Sequence, residues 1–140
     1  MTDKELLEQI LSEVNAMYED IRVRSLEDNT DIMKENLSIY TTYYARASQI
    51  YADTQRIVSE ARAYWSENID SKIQATRFRE ILEGKIAQEV KVHTLVDRLL
   101  KTLNHLIDTT ITKLSFAKAE MTTIHRSEAI TKRGEYDNEF

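Results

Sequence analysis

The segment that decides the fold runs from Met33 to Trp65, MKENLSIYTTYYARASQIYADTQRIVSEARAYW. Its apolar, aromatic and small residues alternate steps of four and three without a break, at positions 33, 37, 40, 44, 47, 51, 54, 58, 61 and 65. A heptad repeat sustained over this length is typical of a coiled-coil seam on a long helix. A second stripe widens the apolar face, formed by Ile32, Ile39, Ile50, Ile57 and Tyr64. A face this wide predicts contact with more than one neighbouring helix.

The flanking sequence continues the helical pattern on both sides of this segment. Thr2 and Glu5 have the spacing of a capping box, and an apolar stripe at steps of three and four follows them as far as Ile21. Downstream, apolar residues hold one helix face from Phe78 to Ile124. Two further helices are therefore predicted, one short and one long.

These segments predict an all-α chain that forms a single domain. We expect a short N-terminal helix over residues 1–24, a long antiparallel helical hairpin over residues 30–126 and a flexible acidic tail over residues 127–140. The weaker pattern over residues 66–75 predicts the hairpin turn, and a continuous or kinked helix is the alternative there. Two long helices leave much of their wide apolar faces in water, so we expect a homo-oligomer.

The composition agrees with this prediction and excludes several other classes. The chain has no proline and only two glycines, which argues against turn-rich β folds and against α/β folds. Without cysteine it has no disulfides, thiolate metal sites or cysteine nucleophiles. It contains no apolar run of membrane-spanning length, and its acidic N-terminus is unlike a signal peptide. We therefore expect a cytoplasmic protein with no membrane partner.

The sequence offers no recognisable catalytic or cofactor motif. Glu89 and His93 lie four residues apart on the predicted third helix, where an acid–base pair or a metal site is conceivable. However, neither the Glu-x-x-His spacing of di-iron bundles nor a glycine-rich phosphate loop is present. We expect no enzyme activity, no cofactor and no metal site, and we interpret His93 as a solvated or interfacial histidine.

Basic and aromatic residues are the features that point towards a ligand. Residues 76–133 carry 11 Lys and Arg against 7 Asp and Glu, a net charge of +4, although the whole chain is at −5. Aromatic rings near cations stack single-stranded bases, whereas tyrosines along a seam also suit a helix–helix interface, where the hydroxyl stays hydrated. We assign an oligomer interface to five seam residues, Tyr40, Tyr44, Tyr51, Val58 and Trp65.

Two stretches resemble the UvsY family, the recombination mediators of T4-like phages. One runs from Tyr40 through Trp65 and includes Glu60-Ala61-Arg62-Ala63-Tyr64-Trp65. The other runs from Phe78 to Met121, with Lys113-Leu114-Ser115-Phe116-Ala117-Lys118 near its end, and the similarity as a whole spans residues 30–121. The resemblance implies an almost all-helical ring that helps to load a recombinase onto single-stranded DNA. It also implies a DNA contact at Arg62, whereas Glu60 replaces the second basic residue of the family run. The N-terminal helix is a further departure from the family.

The leading hypothesis is a non-enzymatic, oligomeric accessory protein for single-stranded DNA transactions, with a recombinase or a single-strand-binding protein as partner. Its expected DNA-binding residues are Arg62, Tyr64, Lys113, Lys118 and Arg126. The C-terminus ends in Phe140, which is either the anchor of a docking peptide for a basic pocket on such a partner or part of a solubilising tail. The alternative hypothesis is a structural or partner-binding coiled-coil module, such as a phage or bacterial assembly component or a chaperone, with no nucleic-acid role.

Overall fold

Every regular element in the described part of the chain is an α-helix. A computed structural model describes the backbone of residues 1–24 and 29–137, and the side chains within those ranges as far as residue 127. The helices follow in chain order as α1 (Asp3–Arg24), α2 (Thr30–Asn68), α3 (Ala75–Lys85) and α4 (Ala87–Asp137). The all-α prediction is confirmed, and so is the packing of one long helix against another.

α1 begins at the predicted capping box. The Glu5 amide donates to the Thr2 hydroxyl at 3.2 Å, and the Thr2 amide donates to the Glu5 carboxylate at 3.4 Å. The helix then buries the predicted apolar stripe, and it packs against both α2 and α4. Its buried residues are Leu7, Ile10, Val14, Met17 and Ile21. The N-terminal helix therefore covers apolar surface that the hairpin alone would leave in water.

α2 and α4 run antiparallel and form the main interface of the molecule. Thr54 of α2 lies opposite His93, whereas Met33, nearer the start of α2, lies beside Thr110, further along α4. The residues at the centre of this interface are Ala47, Ile50 and Ile57 of α2 and Val92, Val96, Leu99 and Leu103 of α4. Because α1 packs on both helices, the middle of the molecule is a three-helix bundle.

The oligomer interface predicted on α2 is largely used inside the chain. Tyr40 is only 2% exposed, and Tyr51, Val58 and Trp65 are half-buried, so Tyr44 alone of the five assigned residues is exposed. This burial arises because α1 and α4 share the wide face of α2. Of the five assigned residues, Tyr40 belongs to the core that α2 forms with α1 and α4, and Tyr51 packs against that core. The oligomeric state itself stays a prediction.

A polar network fixes the end of α1 to α2. Asp20 accepts hydrogen bonds from the Tyr43 hydroxyl and from Arg24 Nε, the latter at 2.8 Å. The buried amide of Asn36 donates to the Arg24 carbonyl at 3.1 Å, which satisfies a carbonyl of the last turn of α1. The hydrogen bonds from Tyr43 and Arg24 lower the pKa of Asp20, and the bond to Asp20 raises the pKa of Tyr43.

The hairpin turn lies within the predicted range, over residues 69–74. The Asp70 carboxylate accepts the Lys72 amide at 3.0 Å, which is typical of an Asx turn. At the end of α2 the Ile69 amide still donates to the Trp65 carbonyl at 3.0 Å, so the helix closes with a complete last turn. The hairpin interpretation of this segment is confirmed, and the continuous helix is excluded.

The prediction of one uninterrupted third helix is wrong at Ile86. There the backbone leaves helical dihedral angles (φ −103°, ψ 9°) and separates α3 from α4, although Ile86 itself is fully buried. Nearby Gly84 weakens the helix locally, because glycine costs about 1 kcal/mol against alanine in a helix interior. A Cβ atom on Gly84 would meet nothing within 4 Å, so this glycine does not serve a close approach of another helix.

α4 extends past the boundary that the apolar pattern suggested. Within the predicted flexible tail, the backbone of residues 127–137 continues as helix to Asp137. Loss of an apolar stripe does not by itself end a helix, and this segment, although it contains Gly134, has no proline and includes helix-forming Ala, Glu, Lys and Arg. Phe140, the predicted docking anchor, lies outside the described residues. None of the helices described is both long enough and apolar enough to cross a membrane.

Candidate functional site

α4 extends well beyond the helix that covers it. Thr30, the first residue of α2, lines a groove with residues of α4 between Leu114 and His125, whereas α4 continues to Asp137. The remaining segment, residues 118–137, spans roughly 30 Å at 1.5 Å per residue. We call it the α4 projection.

A groove of about 550 Å³ lies where the α4 projection begins, between α4 and the first turns of α2. The floor of this groove is apolar, its rim carries two lysines and a histidine, and no acidic residue lines it. The lining residues are Thr30 and Lys34 of α2 and Leu114, Ala117, Lys118, Met121, Thr122 and His125 of α4. We call this feature the α4 groove.

The floor of the α4 groove continues the seam that forms the core. Buried Thr110 is followed at steps of four and three by Leu114, Ala117, Met121 and Ile124. Residues at this spacing share one helix face, which is the face that α1 and α2 cover further back. Met121 is 57% exposed and Ile124 is 56% exposed. The same helix face therefore passes from the core into solvent, although two successive steps of four at Leu106, Thr110 and Leu114 interrupt the strict heptad there.

The positive charge on the rim is not neutralised by the described part of the chain. Neither Lys34 nor Lys118 forms an ion pair with a described residue. Glu35, the sequence neighbour of Lys34, instead approaches Arg24, with 4.0 Å between carboxylate and guanidinium. The α4 groove can thus bury an apolar surface and attract negative charge at the same time.

A second candidate surface lies at the hairpin tip, where α3 packs against the end of α2. Tyr64 is 57% exposed and packs edge-on against Trp65, with ring centroids 5.1 Å apart. Lys85 Nζ lies 4.8 Å from the centroid of the Trp65 ring, and Arg62 pairs with Glu83 at 2.8 Å. An exposed ring among cations is suited to stacking a base, although here one of the cations already has a carboxylate partner.

The structure separates the predicted DNA-binding residues into two groups. Arg62 and Tyr64 lie at the hairpin tip. The others lie at the opposite end of the molecule, and they are Lys113, Lys118 and Arg126. Lys118 shares the α4 groove with Lys34, and the stretch of α2 from Lys34 to Arg62 spans roughly 42 Å. The five residues do not form one binding surface.

His93 lies in the interface between α2 and α4. Its Nδ1 atom is 2.7 Å from the hydroxyl of fully buried Thr54, and its ring packs at 4.6 Å, centroid to centroid, against Tyr51. Glu89, one turn earlier, has a buried carboxylate oxygen with no hydrogen-bond partner. The side chains in the described ranges form no group of three or more potential metal ligands. The geometry around His93 is that of a buried polar contact between helices.

The sequence analysis missed Lys34 and His125 as site residues, and it treated Met121 and Ile124 only as part of a stripe. A usable signal was present, however. The apolar pattern of the third segment, from Phe78 to Ile124, is longer than that of the second. An antiparallel partner of shorter length must leave one end of such a helix uncovered.

Comparisons with protein-family models, curated proteins and solved structures found no match for this chain. The resemblance to the UvsY family therefore stays a prediction that depends on the residues already quoted. The α4 groove and the hairpin tip are the surfaces from which a function is inferred.

Proposed function

We propose that this protein is a non-enzymatic helical binding module whose α4 groove and α4 projection take up a helix of a partner. The proposal is carried by the uncovered seam, because Met121 and Ile124 repeat the heptad of the core and are more than half exposed. In the middle of the molecule α1 and α2 cover the equivalent positions. A partner helix laid along the projection completes the bundle in the same way.

The size of the apolar stripe suits a reversible interaction. Burying a Leu, Ile or Met side chain completely contributes about 1.5–3 kcal/mol, and Leu114 and Ala117 are already partly covered. Association costs at least several kcal/mol in lost translational and rotational freedom. Met121 and Ile124 alone therefore do not give tight binding, and polar contacts along the rim must add to it.

The partner in this proposal is either a second copy of the chain or a different protein. The first case is the homo-oligomer expected from the sequence, with its contact moved from α2 to the α4 projection. The second case is an adaptor or assembly component, in a phage or a bacterium. In both cases the protein acts in the cytoplasm by binding and not by catalysis.

The test compares two substitutions that add the same charge to α4 at positions only two residues apart. Met121→Asp places a carboxylate in the seam, whereas Ala119→Asp places it on the opposite side of the helix. Self-association is followed by sedimentation equilibrium, and helix binding by the anisotropy of labelled three-heptad peptides with a leucine seam and either acidic or basic flanks. We expect wild type and Ala119→Asp to behave alike and Met121→Asp to lose at least about tenfold in affinity.

Circular dichroism provides the control for folding, because both variants lie outside the three-helix core and keep its contacts. Wild-type protein that neither self-associates nor binds any of these peptides at about 100 µM would contradict the proposal. So would equal losses in the two variants, which would indicate a general effect of charge.

A second candidate function is the accessory role in single-stranded DNA transactions, with a recombinase or single-strand-binding protein as partner. It is favoured by the exposed Tyr64 ring, which packs against Trp65. Lys85 lies over the Trp65 ring, and Arg62 precedes Tyr64 by two residues on the same helix. In this hypothesis the tip stacks bases, and the cations contact the strand backbone.

Two tyrosines of α2 provide a matched test of this second candidate. Tyr64→Ala and Tyr44→Ala each remove an exposed ring from α2, but only Tyr64 lies next to Trp65. Labelled oligothymidylate should bind wild type and Tyr44→Ala alike, and its affinity for Tyr64→Ala should fall by about 1–3 kcal/mol. Absence of binding at low salt, or an equal loss in both variants, would exclude base stacking at the tip.

A further inference from the structure

We infer that the α4 groove selects a partner helix whose flanking positions carry Asp or Glu, and that this helix belongs to a different protein. The inference rests on the proposed function, since it assumes that a helix binds along the α4 projection. It adds the chemistry of that helix. The charges on the rim and the position of α1 and α2 relative to the seam lead to it.

The floor of the groove sets the shape of the ligand. Leu114 and Met121 of the floor lie seven residues apart, and Ala117 of the floor repeats this interval with Ile124, which lies on the same stripe beyond the lining of the groove. A stripe with this period fits the apolar seam of another α-helix, whose side chains pack between those of the stripe. Small Ala117 between larger neighbours leaves room for an inserted side chain, and the groove of about 550 Å³ lies over it.

The rim sets the charge of the ligand. When Leu114 and Met121 are assigned to heptad position "a", Lys118 and His125 occupy position "e", on the flank that faces α2. Lys34 adds a third basic side chain from across the groove. No acidic residue lines the groove, and the two lysines lack ion-pair partners in the described ranges. A helix with carboxylates on its flanks would supply the missing partners, which increases the association rate and fixes the orientation.

The position of α1 and α2 excludes a parallel pair of α4 projections from two copies. Both helices lie on the side of α4 towards which the stripe faces. In a parallel pair with facing stripes, the two bundles would have to occupy the same space between the α4 helices.

An antiparallel pair avoids this clash but brings like charges together. A two-fold axis perpendicular to the helices places each flank of one stripe opposite the same flank of the other. Lys118 and His125 would then face Lys118 and His125 of the second copy. The two Lys118 ammonium groups on the same flank of such a seam repel each other, so this flank disfavours self-pairing and favours an acidic partner.

The experiment uses the full chain and two labelled three-heptad peptides. Both peptides have the same leucine seam, but one carries Glu at all flanking positions and the other carries Lys. We expect the Glu peptide to bind at least about tenfold more tightly than the Lys peptide, with a preference that shrinks at high salt. Lys118→Glu combined with Lys34→Glu should reverse the preference, whereas Ala119→Glu, on the opposite side of the helix, should leave it unchanged.

Each other outcome would overturn the inference. Equal binding of the two peptides, lost in Met121→Asp, would retain the proposed function and remove the charge selectivity. Self-association that Met121→Asp abolishes would identify a second copy as the occupant. Binding of oligothymidylate that Lys118→Glu abolishes, without binding of either peptide, would identify a nucleic-acid surface instead. Failure of every probe would contradict the proposed function as well.

Discussion

The middle of α4 and the α4 projection carry the same kind of apolar heptad in opposite surroundings. Val96, Leu99 and Leu103 are fully buried, because α1 and α2 lie against them. Met121 and Ile124 continue the pattern and are more than half exposed. The pattern therefore predicts a face that packs, and the lengths of the neighbouring helices decide whether it packs within the chain or against a partner.

The two regions also differ in their polar groups. In the bundle, cations of α2 meet carboxylates of α1, and Arg46 binds Glu13 through two nitrogens at 2.6 and 3.0 Å. At the α4 groove, Lys34 and Lys118 have no such partner among the described residues. These ion pairs join α1 to α2 within the bundle, whereas the described ranges offer the two lysines of the α4 groove no equivalent pair.

Truncation of a core leucine is expected to have the largest effect on stability. If it did not, the contrast between the buried and the exposed parts of α4 would be wrong. Leu103→Ala should lower the free energy of unfolding by about 2–5 kcal/mol, because it removes a fully buried side chain and leaves a cavity. Met121→Ala, on the same helix face, should change it by less than about 0.5 kcal/mol. Urea denaturation followed by circular dichroism measures both. Equal losses would mean that the α4 projection is covered in the isolated protein.

The sequence predicted α1 and the hairpin turn well because their signals are local. A capping box and an apolar stripe define α1, and a weak apolar pattern with Asp70 marks the turn. The sequence predicted the neighbours of α2 less well. A wide apolar face indicates that α2 packs against other helices, but it does not identify them as α1, α4 or a helix of another chain. The break at Ile86 depends on how whole helices pack, which periodicity does not encode. For the α4 groove the sequence carried one signal, the greater length of the third apolar segment, but not the basic residues of the rim.

Loss of a buried polar contact between α2 and α4 should have the next largest effect. Thr54→Val keeps the shape of a fully buried side chain and removes the hydroxyl that lies 2.7 Å from His93 Nδ1. We expect the free energy of unfolding to fall by about 1–3 kcal/mol, since the imidazole is left without its partner. Thr41→Val, an exposed position on the same helix, is the control and should change it little. No difference between the two would show that the imidazole finds another partner.

Acid titration should weaken the bundle through Asp20, where the pKa is lowered by hydrogen bonds from Tyr43 and Arg24. A carboxylate with a lowered pKa stabilises the folded state above its unfolded value of 3.8, and the stabilisation is lost as the pH falls through the lower folded value. Asp20→Asn should therefore be less stable than wild type at neutral pH, and the two should converge well below pH 3.8.

Urea midpoints measured from neutral to acid pH check this expectation. Asp108→Asn, an exposed aspartate on α4, serves as the control and should follow wild type more closely at neutral pH. Tyr43→Phe should reproduce part of the Asp20→Asn effect, because it removes one of the two hydrogen bonds. A constant difference between Asp20→Asn and wild type across the whole titration would argue that the carboxylate charge has no role in holding α1.

The smallest expected effect lies at the hairpin tip, where Arg62 has an acidic partner, whereas Lys118 has none among the residues that the structure describes. The Arg62–Glu83 pair is about half exposed on both sides, so its loss should change stability by less than about 1 kcal/mol. The pair is more informative about DNA binding than about stability. If the tip holds single-stranded DNA, Glu83→Gln should free Arg62 for a phosphate, strengthen oligothymidylate binding and steepen the log–log salt dependence by about 0.7.

The control is Glu80→Gln, which removes the same charge from α3, where Glu80 belongs to another surface beside Arg77. An equal gain in the two variants would reflect only the reduced negative charge, and a gain confined to Glu83→Gln would assign the contact to Arg62.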